Sequence, residues 1–247
     1  MKELRFFYDE ALCGELPEEE ARHAVRVLRL REDDVIWLMD GRGTFCEAVI
    51  TTASNHHCLY RILKSVPQER QWNGHLHLVI APTKMMERME WMVEKAVEIG
   101  VDEISFVRCD NSERTDIKTE RLRRIALSAV KQSRKAWVPL INDMRPLPDV
   151  LHSVGAEDIS FVCHCHEGRK EHLDDLLRKD RERTALHPEC SVMVFVGPEG
   201  DFSDNEIKMM DAVGVLPASL GESRLRTETA GLVAVHLMHL NNEKRHA

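Results

Sequence analysis

The sequence predicts an α/β fold, in which a largely parallel sheet carries helices on both faces and a smaller β-rich region precedes it. From His75 onward, apolar strand-like runs alternate with helix-patterned segments, the pattern of parallel strands joined by crossover helices. Residues up to about 70 instead read as short strands around one helix. Between them, Pro67–Gly74 (PQERQWNG) is polar and punctuated by proline and glycine, which places a boundary between domains at 1–70 and 75–247.

In the first region Leu4–Tyr8 is an expected strand. Pro17–Leu30 is expected to be helical, with Pro17 at its start and Glu18, Glu19 and Glu20 in the first turn, where the helix dipole favours negative charge. Val35–Met39, Thr44–Thr52 and Cys58–Val66 supply further strands, with a turn at Asp40–Gly43, and together they suit a small barrel. Past the boundary, strands are expected at His75–Ala81, Glu103–Arg108 and Ile159–His164, and helices at Lys84–Ile99, Thr119–Ala136, Pro148–Val154 and Arg169–Lys179. In Lys84–Ile99 the stripe Met85, Met89, Met92, Ala96 and Ile99 reads as a core face, and Lys84, Arg88, Trp91 and Lys95 as the opposite one.

The last quarter holds the chemistry. The strands Val192–Val196 and Val215–Leu220 each empty into a turn before a helix, the place where α/β proteins build ligand sites. The first turn is Gly197-Pro198-Glu199-Gly200, whose glycines permit close backbone approach or positive φ. Ser203 and Glu206 then have capping-box spacing for a helix Asp204–Ala212, ended by Gly214. The second turn, Leu220–Arg226, leads to Thr227 as an expected N-cap and to Glu228 at the positive end of the next helix. Ala230, Gly231 and Ala234 leave that helix narrow on one side. No phosphate-binding Gly-x-x-x-x-Gly-Lys-Ser/Thr run and no Gly-x-Gly-x-x-Gly after a strand is present, so nucleotide phosphates are poorly supported.

Composition excludes several classes. The chain of 247 residues has no apolar run of membrane-spanning length and no apolar signal core at MKELRFFYDE, so no membrane association is expected and the cytoplasm is the expected location. Its seven cysteines are scattered, without a CxxC, and are expected to be reduced. Cys163-His164-Cys165-His166 ends a strand, where neighbours point to opposite faces, so no metal site is expected and the segment reads as facing the ligand pocket.

A net charge of -8 argues against coating nucleic acid by charge alone, yet Arg114–Lys135 holds eight basic residues and two acidic ones, a local balance of +6. Arg121, Arg124 and Lys131 are candidate RNA contacts on one helical face. Arg22, Arg26 and Arg29 form a second such stripe at i, i+4, i+7, with salt bridges to Glu18 and Glu19 as the competing reading.

The pair GPEGDFS and LGESRLRTETAG resembles the signature of the bacterial 16S ribosomal RNA (uracil-N3) methyltransferases of the SPOUT (trefoil-knot) superfamily. HAVRVLRLREDD and MEWMVEKAVEIGVDEI extend the resemblance over nearly the whole chain. It implies a C-terminal trefoil-knotted domain after a PUA-like RNA-binding β-barrel, S-adenosylmethionine as methyl donor, the small ribosomal subunit as partner, and a homodimer. It also implies that Val196, Gly197, Glu199, Gly200, Leu220, Gly221 and Leu225 hold the cofactor, with Arg226 and Glu228 as catalytic candidates. Arg226 is suited to stabilise a uracil anion or orient a phosphate, and a structural salt bridge to Glu199 or Glu228 is the alternative. Three positions depart from the family pattern: Asp201 stands where glycine is common, Ser223-Arg224 where arginine precedes an aliphatic residue, and Lys131 where an acidic residue is frequent. Rival readings are methylation of a ribose or another base, and a non-catalytic RNA-binding factor.

Overall fold

A computed structural model describes residues 5–54, 57–187 and 189–244. Leu4, the start of the first expected strand, lies outside the described residues. Two compact units divide the chain: residues up to Arg70 with Leu127–Val138, and Gln71–Ala126 with residues from Pro139 onward.

The first unit is a four-stranded sheet of β1 (Phe6–Tyr8), β2 (Val35–Met39), β3 (Thr44–Ala53) and β4 (Cys58–Pro67), in that order. Alternation along β3 sends Cys46, Ala48 and Ile50 into a core shared with Phe7, Ile36, Leu38 and Tyr60. Register shifts at Glu47/Ala48 and Ile50/Thr52 bulge the β3–β4 pairing and bend it. The segment 127–138 belongs here because Trp137 lies against Gly43, where a Cβ would come within 2.2 Å of the indole.

The expected helix Pro17–Leu30 is shorter than its pattern. Helix α1 covers Glu18–Arg22 and passes into a wider π-helical turn, His23–Val27, closed by the Leu28 N–H donating to the His23 carbonyl at 3.0 Å. Widening lets Leu28 and Leu30 reach the core, and Arg29 adopts φ 55° beyond the helix. Arg22, Arg26 and Arg29 therefore do not share one helical stripe, and Arg22 pairs with Glu18 at 2.9 Å.

The second unit runs β5 (His75–Ile80), α2 (Met86–Ile99), β6 (Glu103–Arg108), α3 (Thr119–Ser133), β7 (Leu140–Ile141), β8 (Arg145–Pro146), α4 (Leu147–Leu151), β9 (Ile159–Cys163), β10 (Glu171–His172), α5 (Leu173–Lys179), α6 (Arg181–Leu186), β11 (Ser191–Val196), α7 (Asp204–Ala212), β12 (Leu216–Ser219) and α8 (Thr227–Asn242). Its sheet has the order β10-β12-β9-β11-β5-β6-β7, with β8 also on β6, and the pairings are parallel. The chain builds outward from β5 to β7, returns to lay β9 on the other side, and then threads β11 between β5 and β9.

Period-two alternation divides β5 between two cores. Val79 joins Val107, Val162 and Phe195 under α4 and α7, whereas Leu78 and Ile80 face α8, where a Cβ on Gly231 would lie 2.9 Å from Ile80 Cδ1. Met89, Met92 and Ala96 of α2 are fully buried as the stripe predicts, but Met85 precedes the helix and is exposed. The short strands β7, β8 and β10 and helix α6 were not expected, because two-residue strands carry no periodicity. The expected helix from Arg169 begins only at Leu173, because Glu171–His172 pairs with the sheet edge instead. Helix α3 stops at Ser133, with Arg134 at φ 53°. No helix among the described residues is long and apolar enough to cross a membrane.

In the first half of β5, His77 is buried, with Nε2 2.8 Å from Ser105 Oγ and 3.5 Å from Glu103 Oε1. Burial pushes its pKa down to about 4, against the opposing pull of Glu103 and Asp158, while His75 adds to the depression. An unfolded chain takes up this proton near the ordinary histidine value of about 6.5, before the folded protein does. The contribution is therefore complete above that value and is lost as the pH falls toward about 4. Urea midpoints are expected to drop across this window, and His77→Gln to drop less steeply.

Candidate active site

The carboxyl ends of β9, β11 and β12 open onto one cavity of about 580 Å³ beside the point where β11 enters the sheet. Ligands of open parallel sheets bind at such a point, and the volume lies within the usual range for small-molecule sites. Val196, Gly197, Glu199, Gly200, Leu220, Gly221, Leu225, Arg226 and Glu228 all line it. The sequence thus brings its cofactor and catalytic candidates to a single place.

Two glycines serve two different needs. A Cβ on Gly197 would lie 3.0 Å from the Phe202 ring, so that turn requires close approach. Gly221 has open space around it but φ 112°, so the second turn requires its conformation. Ser203 and Glu206 form the complete capping box of α7.

Arg226, rather than Thr227, is the N-cap of α8, and its carbonyl accepts the Ala230 N–H at 2.8 Å. Thr227 is instead the first helical residue. Its buried hydroxyl donates across the cavity floor to the Gly197 carbonyl at 3.1 Å, so it is unavailable for capping. Arg226 is exposed at the cavity and makes no ion pair among the described residues. Its competing partners are engaged elsewhere: Glu199 Oε1 accepts the Lys84 N–H at 3.0 Å, and Glu228 Oε1 lies 3.4 Å from Arg88 Nη1. Glu228 is buried at the start of α8, where its charge favours the helix dipole.

Arg88, His164 and Arg224 also line the cavity, and sequence reasoning gave Arg88 no part in it. Its only signal is its position in the first turn of a helix that follows a strand end. Cys163, His164 and Cys165 face the cavity, whereas His166 bonds the Phe202 carbonyl at 2.7 Å. Burial pushes the Cys163 thiol up to about 12 and His164 down to about 4, the latter with help from Lys170, so both are neutral near pH 7. Among the described residues no group of three or more candidate ligands is arranged to hold a metal ion.

The wall suits a compact polar ligand. Glu228 Oε2 and His164 Nδ1 are buried without a hydrogen-bond partner among the described residues, and buried polar atoms favour a partner. Gly197, Gly221, Ala218 and Ala230 keep the space clear of side chains. S-adenosylmethionine, with its adenine edge, carboxylate, amine and sulfonium, fits this mixture of backbone turns, carboxylates and small residues.

Asp201 answers one of the sequence departures. It does adopt the positive φ that glycine favours, at 63°. Its carboxylate offsets the strain by accepting the Phe202 N–H at 2.8 Å and the Cys165 N–H at 2.7 Å. Ser223 and Arg224 are both exposed, and Arg224 lines the cavity.

None of the candidate RNA contacts is among the residues that line this cavity. Arg121 pairs with Glu90 at 2.7 Å, and Lys131 with Glu20. Arg26, Arg29 and Arg124 are exposed, with no ion pair among the described residues.

The parallel sheet with β11 threaded between β5 and β9 and a cavity between two glycine turns is the architecture of a SPOUT-type methyltransferase. The RNA methyltransferase domain family matches residues 70–239, and the RNA methyltransferase PUA domain matches 16–63, so the chain belongs to the RNA methyltransferase domain family. Ribosomal RNA small subunit methyltransferase E of Mycobacterium bovis is 30% identical over 227 residues, covering 88% of this chain and 82% of that protein. A probable rRNA-methyltransferase from Porphyromonas gingivalis superimposes with a TM-score of 0.87 at 41% identity, covering 97% of this chain and 98% of the other. Ribosomal RNA small subunit methyltransferase E from Neisseria gonorrhoeae, solved bound to S-adenosyl methionine, does so with a TM-score of 0.82 at 27% identity, covering 96% and 98%.

Asp201→Ala loses both carboxylate bonds and keeps an L residue at positive φ, and is expected to lower stability by about 2–4 kcal/mol. Asp201→Gly loses the bonds but not the conformation, so its loss is expected to be about 1 kcal/mol smaller. Denaturant titration of the three proteins gives the ranking.

Proposed function

We propose that the protein transfers the methyl group of S-adenosylmethionine to N3 of a uridine in small-subunit (16S) ribosomal RNA. The observation that carries this reading is the convergence of both glycine turns, Arg226 and Glu228 on one cavity at the strand ends. Methyltransferase E relatives and the TETAG sequence after Leu225-Arg226 support it.

When bound, the cofactor supplies an electrophilic methyl on a sulfonium. Backbone groups of Val196, Gly197, Gly200, Leu220, Gly221 and Leu225 hold it, and Glu199 fixes the first turn through Lys84. Uracil N3 is a poor nucleophile until its proton leaves. In this reading Glu228 accepts that proton, supported by Arg88 engaging one carboxylate oxygen while the other has no partner among the described residues. Arg226 stabilises the negative charge that develops on the imide, with the α8 N-terminus adding to the same field. The carbon then bonds to N3 as its bond to sulfur breaks.

The PUA-like domain, residues 1–70, is the proposed RNA-binding module, and residues 75–247 are the methyltransferase domain. Arg26 and Arg29 in the first domain and Arg124 on the basic helix α3 are the strongest candidate phosphate contacts, because Arg22, Arg121 and Lys131 already face carboxylates. An assembled subunit suits a protein of net charge -8 better than naked RNA does. A cytoplasmic homodimer, joined through the apolar C-terminal helix, completes the reading.

Methyl transfer from labelled S-adenosylmethionine to small subunits lacking base methylation, followed by nucleoside mapping, tests it. Label is expected as 3-methyluridine, with kcat reduced about 10²-fold or more in Arg226→Ala and in Glu228→Gln. Label on a ribose or another base overturns the specificity. Tight cofactor binding without transfer to subunits, free rRNA or tRNA favours a non-catalytic RNA-binding factor.

A further inference from the structure

The loop between β6 and α3 carries an arginine that sits outside the cavity and makes no ion pair among the described residues. Arg114 Nε donates to the Thr83 carbonyl at 3.0 Å, and Nη2 donates to the carbonyl of Lys84. A planar fork of donors suits two successive carbonyls in a way an ammonium does not. Thr83 is 1% exposed, whereas Lys84 after it is exposed, so Arg114 ties an exposed residue to a buried one.

The same Lys84 donates its backbone N–H to Glu199 Oε1 at 3.0 Å, and its Nζ pairs with Glu113 at 3.1 Å. One residue is thus held at its carbonyl by Arg114 and at its amide by the first cofactor turn. The rest of the loop reinforces this. Asn111 Nδ2 donates to the carbonyls of Gly200 at 3.2 Å and Asp201 at 3.1 Å. Ser203 Oγ donates to Asp110 at 2.6 Å, and the Asp110 N–H donates to Glu206 at 2.9 Å. A Cβ on Gly200 would lie 3.0 Å from Asn111 Cβ, so loop and turn are in direct contact.

We infer that Arg114 is a positioning residue for the cofactor turn, acting through Lys84 and Glu199. The inference rests on the cavity being the S-adenosylmethionine site. From sequence, Arg114 counts among the basic residues that precede and line α3, where a phosphate contact is the natural expectation. Its geometry points inward instead. All three guanidinium nitrogens donate to backbone carbonyls, Nη1 to that of Asp116 at 3.5 Å, and withdrawing them frees Lys84 and, with it, the anchor of Glu199.

Titration calorimetry of the full chain with S-adenosylmethionine, without RNA, separates the two roles. Arg114→Ala is expected to weaken cofactor binding about tenfold or more, because a charge-assisted bond is lost. Arg114→Lys, which keeps the charge without the fork, is expected to recover only part of it. Because Glu199→Ala cuts the same link, the double variant is expected to bind no more than about twofold worse than the weaker single one. In turnover, KM for the cofactor rises by the same factor, while kcat at saturation changes less than about threefold. Cofactor affinity within about twofold of wild type, with the loss confined to RNA KM and its salt dependence, overturns the inference in favour of a phosphate contact. Multiplicative losses in the double variant overturn it as well. If Arg114→Ala does not fold, Arg114→Lys carries the same comparison, and wild-type affinity in that folded variant is the overturning result. Wild-type protein that binds no cofactor removes the reading of the cavity together with this inference; a defect absent from the Arg114 variants alone removes only the inference.

Discussion

The hydroxyl of Thr227 donates to the carbonyl of Gly197, and this buried bond joins the two turns that make the cavity. Each turn follows a different strand, and without a fixed spacing between them neither encloses a ligand. Helix α8 begins at this bond and then presses Gly231 against Ile80, where larger side chains have no room. The start of the helix is therefore fixed to the sheet at two nearby points. Arg226 and Glu228 flank the bond, so their placement relative to the cofactor turns follows from it.

The threaded order of the sheet explains why the cavity lies where it does. Strand β11 enters between β5 and β9, and β12 then pairs outside β9, so both glycine turns emerge on the same edge. Parallel pairing puts the ends of β9, β11 and β12 side by side. The resulting wall is mostly backbone and small residues, with charge supplied by a few groups: Arg88, Arg224 and Arg226 against Glu199, Asp201 and Glu228. Because Glu199, Asp201 and Glu228 each already have partners in the protein, the exposed Arg226 keeps its charge available. A cation held this way is preorganised for an anion that forms only during reaction.

Much of this was legible in the sequence because it rests on local rules. Long strands with β-branched and apolar residues, the capping box at Ser203 and Glu206, and the two glycine turns each announce themselves within a few residues. What was not legible depends on distant partners. The π-helical turn at His23–Val27 arises because Leu28 and Leu30 reach a core whose walls come from β2 to β4, and no periodicity encodes that. Thr227 reads as an N-cap until Gly197, thirty residues away in the chain, takes its hydroxyl. Arg88 reads as part of the helix face opposite the core stripe until Glu228 is found beside it. The strands β7, β8 and β10 are two residues long and exist only through the edges they pair with. The basic stretch from Arg114 to Lys135 divides likewise. Arg114, Arg121, Arg123 and Lys131 bond within the protein, and only some of its charge remains for a partner.

Backbone amide hydrogen exchange of the full chain, with and without S-adenosylmethionine, tests the central claim most directly, since it reports each turn separately and needs no RNA. The account predicts that exchange slows together at residues 196–202 and 220–227, with little change in the strands β1 to β4. Slowing at one turn alone, or only at segments outside both, would contradict a single cofactor site built from the two.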